Sequence, residues 1–182
     1  MPFTETPIPG LLVFQPAVFQ DARGYFFESY NQRMWAEAGV DAHFVQDNQA
    51  RSTAGVLRGL HYQVGDAAQA KLVRVVEGEV LDVAVDIRPD SPTYGQWYST
   101  RLSAENKRQL FVPRGFAHGY LVLSETAEFF YKCDNFYNKA AEGGIRYDDP
   151  ALRIDWEFDL EQVLVSEKDL VLPGFGEHRS FI

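Results

Sequence analysis

The stretch Glu79 to Ile87, "EVLDVAVDI", constrains the fold of this chain more than any other. Its side chains fall into two sets with period two, Leu81, Val83, Val85 and Ile87 on one face and Val80, Asp82, Ala84 and Asp86 on the other. Period two is the mark of an extended strand, because successive Cβ atoms point to opposite sides of the backbone. Shorter runs of the same kind recur throughout: "LLVF", "GYFFESY", "HFVQ", "VLRGLHYQ", "KLVRVVEG", "WYSTRL", "QLFVP", "GYLVLS" and "EFFYKCDNF". Together they predict an all-β chain. Glu77-Gly78 predicts a hairpin turn into the long strand. Only "NQRMWAEAG" reads as a clear helix, with Asn31 as its N-cap and Gly39 ending it, and a second short helix is expected near Leu160 to Leu164. Many short strands leave edges that need covering, and a sandwich or jelly-roll barrel covers them. The mouth of such a barrel is a natural small-molecule pocket.

With 182 residues, 46% of them hydrophobic, and no repeat or linker-like stretch, one domain spanning 1–182 is expected. The net charge of −9 argues against nucleic acid or an anionic membrane as a partner, so an anionic ligand must meet a local cluster of cations. The opening residues "MPFTETPIPG" lack the basic and apolar regions of a signal peptide, and no apolar run is long enough to span a bilayer. A cytoplasmic location is the expectation. The single cysteine, Cys133, has no internal disulfide partner and reads as a small buried hydrophobe.

Within this pattern "VLRGLHYQ" stands out, since it puts Arg58 and His61 in an otherwise buried strand. On an ideal strand they face opposite ways. Gly59 between them can mark a kink that brings both to one cavity. Lys71 opens the next strand on the face of Val73 and Val75, and His118 follows the turn in "VPRGFAHGY". Taken singly, each has a plain structural reading: His61 as a core histidine, Lys71 as a strand-end lysine, His118 as a loop histidine. Their spacing changes this. Gly55, His61, Gln63, Lys71 and Gly78, followed by Pro113, Gly115 and His118, resemble the two motifs of the cupin superfamily, which usually supply three histidines and a glutamate to a metal. Here Gln63 replaces one histidine and Lys71 stands near the glutamate position. A cation in the coordination shell opposes a divalent ion, so no metal is expected. What remains is an acid–base set, with a histidine that titrates near neutrality and an ammonium able to stabilise an oxyanion.

The resemblance narrows further. "VLRGLHYQ", "AKLVRVVEGEVLDVAVDIRPDSPTYGQW", "LSAEN", "FVPRGFAHGYLVLS", "FFYKCDNFY", "IRYDDP" and "SEKD" are similar, in this order, to motifs of the dTDP-4-dehydrorhamnose 3,5-epimerase family. "DARGYFFESY" resembles its amino-terminal signature, and the match covers roughly residues 14–173. The resemblance implies a cupin jelly roll without metal or cofactor. It implies inversion of C3 and C5 of dTDP-4-dehydro-6-deoxy-D-glucose, giving dTDP-4-dehydro-L-rhamnose. Both carbons flank the C4 ketone, so a base can make an enolate and an acid on the opposite face can reprotonate it.

By resemblance His61 is the base, Asp169 the carboxylate that orients it, Tyr131 the acid and Lys71 the stabiliser of the enolate oxygen. The family pattern maps substrate contacts onto Arg23, Phe26, Glu28, Gln46, Asp47, Asn48, Arg58, His118, Tyr137, Glu142 and Lys168. Members are homodimers whose amino-terminal strand reaches toward the partner's site. The chain departs from the pattern at Ala50, where the family usually has a serine, and at Asn138-Lys139, where a proline is common. These departures bear on substrate contacts rather than on reaction type. A single-centre epimerase shares the same acid, base and lysine and is the nearest alternative. A non-catalytic nucleotide-sugar binder would have no need of the complete set, and a metal-dependent cupin is disfavoured by Gln63 and Lys71.

Overall fold

The computed structural model describes residues 2–182. The strands run in chain order as β1 (Phe3–Glu5), β2 (Leu12–Phe14), β3 (Phe19–Asp21), β4 (Gly24–Phe26), β5 (Gln46–Thr53), β6 (Leu57–Gln63) and β7 (Lys71–Glu77). They continue as β8 (Glu79–Asp86), β9 (Trp97–Ser103), β10 (Gln109–Val112), β11 (Phe116–Val122), β12 (Thr126–Cys133) and β13 (Glu142–Gly144). One sheet has the order β1-β2-β10-β7-β12-β5, the other β13-β6-β11-β8-β9, and β3 and β4 form a separate hairpin. Neighbouring strands are antiparallel, and the two large sheets pack as a jelly roll.

The long alternating strand behaves as its period predicts. On β8, Val80 and Ala84 join the core between the sheets with Val73, Leu110, Val122 and Phe129. Leu81, Val83, Val85 and Ile87 face the other way, into a second core beneath the carboxyl-terminal third of the chain, where Ile145, Leu152 and Trp156 cover them. Each such fully buried aliphatic or aromatic side chain contributes roughly 1.5–3 kcal/mol. A third cluster packs Trp35 of α1 (Gln32–Glu37) on Phe14, Leu72 and Phe111, outside the first sheet. α1 begins where expected, with the Asn31 side chain accepting from the Arg33 amide, and Gly39 follows it with φ +86°.

Two turns differ from the sequence reading. Glu77-Gly78 does not close a hairpin: β7 pairs with β10 and β12, and β8 pairs with β11 and β9, so Gly78 carries the chain from one sheet to the other. The sheets close around a shared core, and a sharp corner serves that better than a hairpin. Gly78 has φ +76°, and a Cβ there would collide with the Thr126 carbonyl oxygen. Near Leu160 the expected helix is a single 3-10 turn, Leu160–Gln162, capped by Asp159. The second α-helix, α2 (Glu167–Leu170), lies further on and is capped by Ser166.

The kink at Gly59 is present. His61 pairs with His118 and Arg58 with Tyr120, so three steps along β6 oppose two along β11. Gly59 has φ +143°, and a Cβ on it would come within 2.6 Å of the Gly119 Cα. This bulge resets the alternation and puts Arg58 and His61 on the same cavity wall.

Candidate active site

The open end of the barrel holds a cavity of about 380 Å³. Arg58, His61 and His118 line it from the second sheet, Lys71 and Tyr131 from the first, and Lys168 and Asp169 from α2. A second cavity of about 270 Å³ shares His61, Lys71 and Tyr131 and is bounded by Gln46, Asn48, Tyr137 and Glu142. The three shared residues therefore stand at the junction of a two-lobed cleft.

His61 Nε2 lies 2.6 Å from Asp169 Oδ1, and the Asp169 side chain is only 3% exposed. Asp169 is placed by its short helix. Its amide donates to the Ser166 hydroxyl at 3.2 Å, and its Oδ2 accepts from the Gly59 amide at 3.4 Å. Burial pushes the Asp169 carboxyl up, but the hydrogen bond and charge of His61 and the Gly59 amide outweigh it, and the net shift is downward. Asp169 is thus held as a carboxylate.

On the opposing sheet Tyr131 follows Ala127 and Phe129 along the inward face of β12. Burial raises its phenol to about 12, with the neighbouring Cys133 and Tyr120 adding to the shift. Lys71 enters beside it, its Nζ 5.8 Å from the Tyr131 ring centroid. Burial lowers the Lys71 ammonium below its ordinary value, against the attraction of Cys133 and Asp82. A lysine so placed is a strong hydrogen-bond donor to an oxygen that gains negative charge.

His118 is not a loop residue. It sits within β11, with Nε2 2.9 and 3.0 Å from the two oxygens of Asp82, which is fully buried on β8. Asp82 was the main omission of the sequence reading. Its signal was an acid on the inward face of β8, between Val80 and Ala84, where an unpaired carboxylate is costly. Ser166, Tyr120 and Phe129 also line the cavity and carried no signal of their own.

The remaining sequence candidates divide. Gln46, Asn48, Tyr137 and Glu142 reach the second lobe, where Lys168 is tied to both Glu142 oxygens at 2.8 Å. Asp47 points outward from β5 and pairs with Lys132 at 3.0 Å, because it alternates with Gln46 and Asn48. Arg23 and Phe26 ride on the β3–β4 hairpin and Glu28 just beyond it, and none lines either lobe. Arg23 is instead bound to Asp21, and Glu28 accepts from the Asn31 side chain. Ala50 lies on the main cavity wall, so the hydroxyl that the family pattern would place there is absent from the cavity itself. Asn138 caps the 3-10 turn Lys139–Ala141. Among the described residues, no group of three or more His, Cys, Asp or Glu side chains is arranged to hold a metal ion.

The two-sheet barrel with a cleft at one end is a cupin-like jelly roll, with His61 on one sheet and Tyr131 on the other lining the same cleft. A family model described as dTDP-4-dehydrorhamnose 3,5-epimerase matches residues 5–177. The chain is 57% identical over 182 residues to the dTDP-4-dehydrorhamnose 3,5-epimerase of Pseudomonas aeruginosa, covering 100% of this chain and 99% of the relative. It superposes on the crystal structure of the enzyme of that name from Elizabethkingia anophelis with a TM-score of 0.93 and 53% identity, covering 96% of each chain. A Legionella pneumophila dTDP-6-deoxy-D-glucose-3,5-epimerase, solved in complex with dTDP-4-keto-L-rhamnose, gives a TM-score of 0.92 and 49% identity over 96% of this chain and 93% of that one. This chain belongs to the dTDP-4-dehydrorhamnose 3,5-epimerase family.

Proposed function

We infer that the protein inverts C3 and C5 of dTDP-4-dehydro-6-deoxy-D-glucose to give dTDP-4-dehydro-L-rhamnose, without a cofactor. One observation carries the mechanism. The histidine bound to a buried carboxylate stands on one sheet, and the protonated phenol stands on the facing sheet, with Lys71 beside it.

With Asp169 held as a carboxylate, His61 Nε2 carries the hydrogen that Asp169 accepts, which leaves Nδ1 as the nitrogen with a lone pair. That nitrogen takes the proton from a carbon next to the C4 ketone, and the electron pair moves onto the ketone oxygen as an enolate. The imidazolium is stabilised by Asp169 and the enolate oxygen by the Lys71 ammonium. Tyr131 then delivers its proton to the same carbon from the opposite face. The carbon leaves with inverted configuration, and proton exchange with water restores both groups. A phenol raised to about 12 stays protonated across the physiological range, so it serves as acid in this direction and never competes for the first proton. The same residues act on the second carbon once the ring has turned.

The diphosphate would meet Arg58, and Lys168 on the same cavity would have to exchange Glu142 for phosphate, on a chain of net charge −9. Homodimer formation is part of this reading. The β3–β4 hairpin exposes Phe19 at 66%, Tyr25 at 59% and Phe26 at 70%, a cluster that a partner subunit would cover. Arg23 and Phe26 would then complete the partner's cleft.

Proton NMR in deuterated water tests the reaction, with dTDP-4-dehydro-6-deoxy-D-glucose as substrate and His61→Ala as control. Deuterium is expected at both C3 and C5, with inversion trapped by a downstream reductase. Incorporation at one carbon alone would make this a single-centre enzyme, and incorporation at neither would overturn the reading.

A further inference from the structure

Gln63 stands where the usual cupin motif holds a second metal-binding histidine, and its side chain is engaged in a different task. It is 5% exposed. Its Nε2 donates to the Ala67 carbonyl at 2.7 Å and the Phe136 carbonyl at 3.3 Å, and its Oε1 accepts from the Asn138 amide at 2.6 Å. Gln46 accepts from the Tyr137 amide at 3.1 Å while donating to Asn48, and Gln69 donates to the Asn135 carbonyl at 2.8 Å. Asn135 accepts the Phe136 amide at 2.9 Å with its own side chain. The segment Asn135 to Asn138 therefore leaves β12 with no strand ladder of its own, yet side-chain amides satisfy its backbone at five points. What this cradle displays is a pair of exposed aromatics, Phe136 at 65% and Tyr137 at 54%, and Tyr137 bounds the second lobe of the cleft.

Two exposed rings on an unpaired segment would sample many conformations unless something fixed the backbone beneath them. Amides suit that purpose because they carry no charge at any pH and offer both a donor and an acceptor. Gln63 alone grips the segment on both sides of Tyr137, through Phe136 and Asn138.

We propose that Gln63 is a positioning residue: its amide holds the Phe136–Asn138 backbone so that Tyr137 stands against the nucleotide half of the substrate. This rests on the dTDP-sugar reading above. The test combines Gln63→Met, Tyr137→Ala and the double variant, with calorimetric binding of dTDP and steady-state kinetics. Gln63→Met is expected to raise the dTDP Kd and the KM roughly tenfold, with kcat and C3 deuterium exchange within about twofold of wild type. The double variant should bind no worse than Tyr137→Ala alone, because the amide acts through that ring. Gln63→Glu keeps size and acceptor but loses the donor to two carbonyls. It provides the same readout if the methionine variant does not fold, and should weaken dTDP binding at least as much. Unchanged dTDP binding in a folded Gln63 variant, losses that add to those of Tyr137→Ala, or a fall in kcat at constant KM would each overturn the proposal. Wild-type protein that binds no dTDP would bring down the functional reading itself; wild-type binding with indifferent Gln63 variants would remove only the positioning role.

Discussion

At the residue scale the site is a set of ionisable groups whose environments push them apart. Asp169 is lowered, Tyr131 is raised to about 12 and Lys71 is lowered. On the proposed mechanism His61→Ala should cut kcat by at least about 10³-fold. Asp169→Asn should lose roughly 10³–10⁴-fold, as expected when a base loses the carboxylate that orients it. Stopped-flow or NMR assays would resolve both. Because the Asp169 pKa is depressed on folding, its stabilisation is complete above the ordinary carboxylate value of about 3.9 and is lost as pH falls through the lower folded value. The denaturant midpoints of wild type and Asp169→Asn should therefore converge in acid. At the other end, Lys71 loses its proton before Tyr131, so the alkaline limb of the rate profile should belong to the lysine and move upward in Lys71→Arg. A limb that follows Tyr131→Phe instead would contradict this order. That His61 and Lys71 share a cavity was legible from motif spacing, and that Tyr131 joins them only through the family resemblance. Asp82 was not, because a lone acid in an alternating strand reads as surface until the packing shows which face is inward.

At the scale of elements, two local devices place His61 and its carboxylate. The bulge at Gly59 brings Arg58 and His61 to one wall, and the Ser166 cap turns Asp169 toward His61. Gly59→Ala would place a methyl 2.6 Å from the Gly119 Cα at a φ of +143°, a combination of overpacking and strain costing on the order of 2–5 kcal/mol. A thermal melt should show it, together with lost activity. Ser166→Ala should cost about 1 kcal/mol and lower kcat more than it raises KM, since it acts on the dyad rather than on binding. The kink was readable because glycine inside a strand has few other uses. The corner at Gly78 was not. A single glycine between two strands looks the same locally whether the chain folds back or crosses over, and the choice is made by cores assembled from distant residues such as Leu110 and Phe129. The helix near Leu160 shrank to one turn for a similar reason: Leu164 bridges to Val56 in extended form, ending the turn.

At the scale of the molecule, the β3–β4 hairpin and the cleft are separate within one chain, so in the proposed dimer Arg23 would serve the reaction across the subunit boundary. Light scattering should report a dimer. Co-expressed His61→Ala and Arg23→Ala chains should recover activity that neither has alone, since a mixed dimer would hold one intact cleft. The all-β architecture was legible because alternation is a local property. The separation of the hairpin from the cleft was not, because it is set by how far the hairpin projects and not by its own sequence. The order of the chain has one further consequence. His61 and Asp169 are 108 residues apart, and every described strand precedes Ser166. On the ribosome the strands that wall the cleft are thus made before Asp169 emerges, and on the proposed mechanism His61 has no carboxylate to work with until it does.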